Sequence, residues 1–121
     1  MKKITYFVAL LGALVLGGCS SHNTPDVVVA KCWTSLASGD VKGALSLVNM
    51  GVGQEAVYED MFAERAARLN EVGGIERVDI TSYDEGKTDA RVSATVVLAD
   101  GRTITATYTL TKVGRDWKIN N

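Results

Sequence analysis

The stretch Ala90–Thr111, ARVSATVVLADGRTITATYTLT, decides the fold of this chain. Apolar and polar residues alternate through both halves of it, and Asp100-Gly101 lies between the halves. Alternation with a period of two residues indicates a half-buried β-strand, and a central Asp-Gly pair indicates a hairpin turn. The stretch therefore predicts two antiparallel strands, each with one apolar face.

The apolar residues also predict the register of this hairpin. A two-residue turn at Asp100-Gly101 would place Val96 opposite Thr105 and so set an apolar side chain beside a threonine. A three-residue loop, with Gly101 in the left-handed conformation, pairs Val96 with Ile104 instead. The same register pairs Ala94 with Ala106 and Val92 with Tyr108. Because register follows the buried face, we predict the three-residue loop with a bulge at Gly101.

Three helices are predicted before the strands. The first begins at Pro25 with Thr24 as its N-cap, the second follows Asp40 as N-cap, and the third runs from about Gln54 to Val72. Gly73-Gly74 ends the third helix, and the period then changes from 3.6 to 2. Further strands are predicted from Ile75 and at Trp117–Ile119. This order predicts an α+β fold, in which N-terminal helices pack on one face of a curled four-stranded antiparallel sheet.

The N-terminal segment predicts export and a lipid anchor. Lys2 and Lys3 precede the apolar stretch Ile4–Leu16, and Leu16-Gly17-Gly18-Cys19 follows the pattern of a bacterial lipobox. We predict a lipoprotein signal peptide over residues 1–18, a lipid attachment site at Cys19, a tether over 19–24 and a roll domain over 25–121. A plain secreted protein with an incidental cysteine is the alternative. By the sorting rule known for such lipoproteins in Gram-negative cells, Ser20 rather than Asp after the cysteine favours the periplasmic face of the outer membrane.

Charge and cysteine content narrow the possible partners. The chain has 13 Lys and Arg against 14 Asp and Glu, with a net charge of −1 and no basic stripe, which argues against nucleic acid as a partner. Cys32 is the one cysteine besides Cys19, so no internal disulfide is expected once Cys19 carries lipid. We expect Cys32 to be a small buried residue, with a reactive thiol as the alternative.

Short motifs in a fixed order carry a family resemblance over nearly all of the predicted domain. They are Thr24-Pro25-Asp26-Val27-Val28, Ser38-Gly39-Asp40 with Ala44-Leu45, Gly73-Gly74-Ile75, Ala90-Arg91-Val92, Asp100-Gly101 and Trp117-Lys118-Ile119. In these the chain resembles a bacterial lipoprotein family of unknown function with a nuclear transport factor 2-like domain. The resemblance implies a cone-shaped, cystatin-like α+β roll and an envelope location. Enzymes elsewhere in that superfamily place Asp, His or Tyr inside the cone.

The sequence offers no catalytic constellation for such an enzyme. His22 is the single histidine and lies in the predicted tether, and the carboxylates fall at predicted helix surfaces, turns or outward strand positions. If the domain had a catalytic acid, Asp79 and Asp84, near the ends of predicted strands, would be the best candidates. No metal-ligand spacing or phosphate-binding loop is present. We therefore expect no catalytic residues, no metal and no cofactor.

Five aromatic residues are the candidate lining of either a pocket or the core: Trp33, Tyr58, Phe62, Tyr108 and Trp117. A small domain rarely leaves its largest side chains unpacked, so the core is the favoured interpretation. The threonines from Thr103 to Thr111 form an outer row that meets water, an envelope protein or a second copy of the chain. We predict a non-enzymatic binding or interaction module on the membrane, with a small apolar ligand pocket or a degenerate isomerase-like or dehydratase-like enzyme as alternatives.

Overall fold

The computed structural model describes residues 4–7 and 23–120 of the chain. Its elements, in chain order, are β1 (Ile4–Phe7), α1 (Pro25–Ala37), α2 (Val41–Leu45), α3 (Glu55–Glu71), β2 (Ile75–Glu85), β3 (Asp89–Leu98), β4 (Thr103–Val113) and β5 (Asp116–Ile119). Cys19 and His22 lie outside the described residues.

Helices α1 and α2 begin where the sequence predicts, but only one of the two predicted N-cap residues makes a capping hydrogen bond. Pro25 occupies the first turn of α1, and Thr24 is its N-cap residue, but the Thr24 side chain makes no capping hydrogen bond. Thr24 therefore precedes the helix as predicted, but its hydroxyl does not cap it. Asp40 does cap α2, because its carboxylate accepts a hydrogen bond of 2.9 Å from the Gly43 amide.

Helix α3 ends at the predicted pair of glycines. Gly73 and Gly74 have φ of +88° and +90°, a region that favours glycine. The Gly74 amide donates to the Leu69 carbonyl at 2.8 Å, and the Gly73 amide donates to the Asn70 carbonyl at 3.1 Å. These two bonds form a Schellman motif, which satisfies carbonyls that the helix end leaves open.

The sheet is an antiparallel meander in which each strand pairs with the next along the chain, in the order β1 to β5. The four predicted strands are β2 to β5. The additional strand, β1, comes from the segment predicted as a signal peptide, and its Ile4 lies opposite Ile80 of β2. At the other edge, the Asn49 amide donates to the Ile119 carbonyl at 2.7 Å, so the segment after α2 runs beside β5.

The predicted hairpin register is confirmed. Val96 lies opposite Ile104, and the same register continues through the pairs predicted from the sequence. The Leu98 amide donates to the Arg102 carbonyl at 2.8 Å across a three-residue loop. Gly101 closes this loop with a φ of +93°. The burial pattern of two short strands therefore determines how they pair.

The core lies between α1 and the inner face of the sheet. Helix α1 packs across β2, β3 and β5, whereas α3 packs mainly against α1 and α2. Alternate residues of β3 from Ala90 to Leu98 are all buried. The α+β architecture with helices on one face of an antiparallel sheet is thus as predicted. In the part of the chain that the structure describes, no helix has the length and apolar character needed to cross a bilayer.

The expected surface positions of the carboxylates are wrong for Asp26 and Asp79, which are only 6% and 3% exposed. Asp26 lies in the first turn of α1. Burial and then the hydrogen bond to Glu85 raise the pKa of Tyr83, and the charge of Asp26 adds to these effects. Asp79 lies between the buried Val78 and Ile80, so both faces of β2 are covered there. Alternation of polar and apolar residues predicts one buried face of a strand, not two. The charge of the buried Asp79 carboxylate is compensated by the Arg77 guanidinium, 3.1 Å away.

Candidate functional site

An open groove of about 750 Å³ lies between α3 and β4. Because α3 rests on α1 and α2, it leaves the first half of the helix-facing side of β4 uncovered. Ile104, predicted to face the core, is 37% exposed there, and Met61 on α3 is 42% exposed. The expectation of full burial for the apolar row of β4 is therefore wrong at Ile104, where the helices do not reach.

The groove combines apolar side chains with polar and charged ones in similar numbers, and its charged groups are mostly arginines. The apolar side chains are Met61, Leu69, Val72, Leu98, Ile104 and Ala106. The polar and charged lining consists of Trp33, Tyr108, Thr103, Glu64, Arg65, Arg68 and Arg102. Such a mixture suits a ligand with an apolar part and a polar head.

A smaller cavity of about 70 Å³ lies beside the groove, towards the core. Trp33, Arg65 and Tyr108 line both spaces, so they form the boundary between them. The rest of the cavity wall is largely apolar and includes Cys32 and Phe62. A ligand that reaches this boundary would meet one exposed guanidinium, that of Arg65, and one half-buried phenol, that of Tyr108.

The boundary residues are held by defined contacts. The Trp33 Nε1–H donates a hydrogen bond of 2.9 Å to the Tyr108 hydroxyl oxygen. Burial raises the pKa of Tyr108, and the bond from Trp33 and the charge of Arg65 act in the opposite direction. The Arg65 guanidinium carbon lies 5.9 Å from the centre of the Phe62 ring, within the range of a cation–π contact.

The three arginines of the groove differ in their ionic partners. Arg68 is paired with Glu64 at 2.6 Å, and Arg102 is paired with Asp100 at 2.7 Å. Within residues 4–7 and 23–120, no ion pair is found for Arg65. The cation at the boundary is therefore the one of the three whose charge no described carboxylate compensates.

These arginines are not among the site residues predicted from the sequence. Arg65 and Arg68 lie in the C-terminal half of α3, where Arg68 pairs with Glu64 one turn earlier. The signal was nevertheless present, because Met61, Arg65 and Arg68 are spaced at i, i+4 and i+7. This second stripe lies beside the buried stripe that contains Phe62 and Leu69, and it lines the groove.

The structure brings together four of the five aromatic candidates. Trp33, Tyr58, Phe62 and Tyr108 surround the smaller cavity, and the Tyr58 and Phe62 rings meet edge to face at 6.4 Å. Trp117 lies elsewhere, and its side chain is buried in the core. The five aromatic residues are thus divided between a cavity wall and the core.

Neither predicted acid lines the groove or the smaller cavity. Asp79 is buried beside Arg77, and Asp84 is exposed on β2. Cys32 does line the smaller cavity, and burial raises the pKa of its thiol to about 11, an effect that Arg65 partly opposes. Among the described residues, no three His, Cys, Asp or Glu side chains are grouped so that they could hold a metal ion.

The threonine row of β4 lies on the opposite face of the sheet. Thr107 and Thr105 form hydroxyl hydrogen bonds of 2.9 Å and 3.2 Å with Ser93 and Thr95 of the neighbouring strand. These cross-strand bonds link β3 and β4 on the exposed face. A second copy or an envelope protein on this face stays a prediction.

Solved structures, but no family model or curated protein, resemble this chain. No protein-family model and no curated protein matches the chain. A structure from Campylobacter jejuni, provisionally named an NTF2-like transpeptidase, aligns with a TM-score of 0.69 and 20% identity over 82% of this chain and 99% of that chain. The fold is NTF2-like.

Two further structures extend this likeness. A SEC-C motif-containing protein of Rhodopseudomonas palustris aligns with a TM-score of 0.64 at 11% identity, over 90% of this chain and 84% of that chain. A Thiobacillus denitrificans protein, provisionally named a calcium/calmodulin-dependent protein kinase type II association domain, aligns with a TM-score of 0.58 at 11% identity, over 83% and 92%. These likenesses concern the NTF2-like fold alone. In this chain, the groove lies between the helices and the sheet of that fold.

Proposed function

We propose that this chain is a lipid-anchored, non-enzymatic binding domain of the bacterial cell envelope. The basic and then apolar N-terminal segment and the lipobox-like Leu16-Gly17-Gly18-Cys19 support removal of residues 1–18 and attachment of lipid to Cys19. Ser20 supports the periplasmic face of the outer membrane as the location. Two or more acyl chains at Cys19 would hold the domain stably beside the bilayer.

The groove between α3 and β4 is the observation on which the binding role depends. Its volume of about 750 Å³ falls within the range of about 300–1,000 Å³ that is usual for ligand sites. Met61 and Ile104 leave apolar surface uncovered inside it. Because these side chains lie inside a concave site, they could pack against the apolar part of a ligand. We propose that an alkyl chain occupies this groove.

The chemistry of Cys32 supports binding in preference to catalysis. The Campylobacter jejuni neighbour is named a transpeptidase, and acyl transfer by a cysteine requires an ionised thiol. In this chain the Cys32 thiol is buried, and its raised pKa of about 11 keeps it protonated near neutral pH. A protonated thiol in an apolar cavity is a poor nucleophile.

A pair of substitutions on β4 tests the groove. Ala106→Trp places an indole in the groove, whereas Thr107→Trp places the same indole on the opposite face of the same strand. Calorimetric titration of the full chain with 1-decanol should detect binding that Ala106→Trp abolishes and Thr107→Trp preserves. Absence of binding to the unaltered chain, or equal loss in both variants, would contradict the proposed site.

The anchor is tested separately from the groove. Cells that produce the full chain are supplied with labelled palmitate, and the purified protein is analysed by mass spectrometry. We expect label and a diacylglyceryl-modified N-terminal cysteine at position 19, and loss of both in Cys19→Ser. An unlabelled protein that keeps residues 1–18 would refute the lipid anchor and leave the groove unaffected.

A further inference from the structure

We propose that the groove selects a single-chain amphiphile with a carboxylate head, and that Arg65 and Tyr108 bind the carboxylate. This inference rests on the proposed function, because it assigns a chemical class of ligand to the same groove. The alkyl chain would lie along the apolar wall formed by Met61, Ile104 and their neighbours. The head would lie at the boundary with the smaller cavity.

The charge of Arg65 is the first argument. Glu64 and Asp100 already compensate Arg68 and Arg102, so these two arginines present little net charge to a ligand. Arg65 lines both the groove and the smaller cavity, and the described part of the chain offers it no carboxylate. A single uncompensated guanidinium matches a ligand with one negative charge better than a dianion.

The hydroxyl of Tyr108 is the second argument. A phenol has one hydrogen to donate, and its oxygen accepts. The Tyr108 oxygen already accepts from Trp33 at 2.9 Å, which fixes the position of the hydroxyl. Among the described residues, the Tyr108 O–H donates no hydrogen bond. Burial raises the pKa of Tyr108 and so keeps this hydrogen in place.

The two donors are of the kinds from which a carboxylate accepts hydrogen bonds. A guanidinium donates two parallel N–H groups to one planar carboxylate, and a neighbouring O–H can reach a remaining lone pair of the same group. Arg65 and Tyr108 share the boundary between the two spaces. Arg65 is exposed and Tyr108 half-buried, so water competes for the guanidinium more than for the phenol.

Three ten-carbon probes with different heads separate this inference from the proposed function. The full chain is titrated with decanoate, 1-decanol and decyltrimethylammonium, each below its critical micelle concentration. We expect decanoate to bind about tenfold or more tightly than 1-decanol, as charge-assisted hydrogen bonds require, and decyltrimethylammonium to bind most weakly. The advantage of decanoate should fall as salt is raised, because the guanidinium is partly solvated.

Matched substitutions of two arginines test whether Arg65 binds the carboxylate of decanoate. Arg65→Gln should remove the advantage of decanoate over 1-decanol, whereas Arg115→Gln, in the exposed β4–β5 turn, should change the affinity for neither probe. Tyr108→Phe should lower the affinity for decanoate to a smaller extent. Carboxyl-labelled decanoate, followed by ¹³C NMR, should have a lower pKa when bound to the unaltered chain than when free, and this shift should disappear in Arg65→Gln.

The outcomes are distinct. Equal affinity for decanoate and 1-decanol, or an Arg65→Gln variant that keeps the preference and the NMR shift, would overturn the carboxylate assignment and leave the groove as an alkyl site. Failure of all three probes to bind would overturn the proposed binding role together with this inference.

Discussion

Burial changes the acidity of Cys32 and thereby links the stability of the domain to pH. The thiol lines the small apolar cavity, and burial raises its pKa from 9.0 to about 11. In the unfolded chain it would ionise near 9, whereas in the folded domain it stays protonated to higher pH. A group whose pKa rises on folding stabilises the fold fully below the unfolded value, and that stabilisation is lost as pH rises through the folded value.

We therefore expect the free energy of unfolding to fall between pH 9 and 11, with roughly 2–3 kcal/mol of the loss due to Cys32. Urea unfolding under reducing conditions at pH 8, 9, 10 and 11 measures the slope. Cys32→Ala is the control, since it keeps every other titrating group and should show a shallower decline. Parallel curves for the two proteins would mean that the thiol ionises freely in the folded state.

At the scale of elements, the β3–β4 hairpin depends on the backbone conformation of Gly101. Its φ of +93° lies in a region that other residues adopt at a cost, and a Cβ added there would meet nothing within 4 Å. Gly101→Ala should therefore destabilise the domain by about 1–2 kcal/mol through backbone strain alone. Gly51→Ala is the matched control, because Gly51 has an ordinary φ and its Cβ would meet only the flexible Gln54 side chain.

Thermal and urea unfolding of both variants test this expectation. A Gly101→Ala protein as stable as the Gly51→Ala protein would mean that the loop adopts another register without loss. The register itself could be predicted from the sequence, because only one alignment buries the apolar residues of both strands together. Helix α3 could be predicted for a similar reason, since its spacing and its two terminal glycines agree.

Other features of the elements could not be predicted from local pattern. Ile104 carries the same alternation signal as Val96, yet it lines an open groove because α3 rests on other helices and leaves this end of β4 uncovered. The distance between a helix and a sheet is a tertiary property, which alternation does not contain. Asp79 is buried although alternation places it on the face opposite to Val78 and Ile80. The spacing of Arg65 on α3 marks only an exposed helix position, and only the packing places it on the same groove as Tyr108.

At the scale of the whole molecule, the described core belongs to the domain after the predicted leader. Its buried apolar residues run from Val28 to Ile119, and α1 forms one wall of that core. The strand β1 adds four pairs at the edge of β2. Without it, the edge would present Glu76, Arg77 and Thr81 among other polar side chains, and charged edges resist association with other strands.

A chain that begins at Cys19, with Cys19→Ser to remove the lipid site, should therefore fold alone. We expect a cooperative urea transition and a circular dichroism spectrum with both helix and sheet, because every buried apolar side chain of the described core is retained. A chain that begins at Val41 is the control. It lacks α1 and so loses Val29, Trp33 and Leu36, and it should not fold. A broad transition for the chain that begins at Cys19 would mean that residues 1–18 belong to the folded domain. That result would count against their removal as a signal peptide.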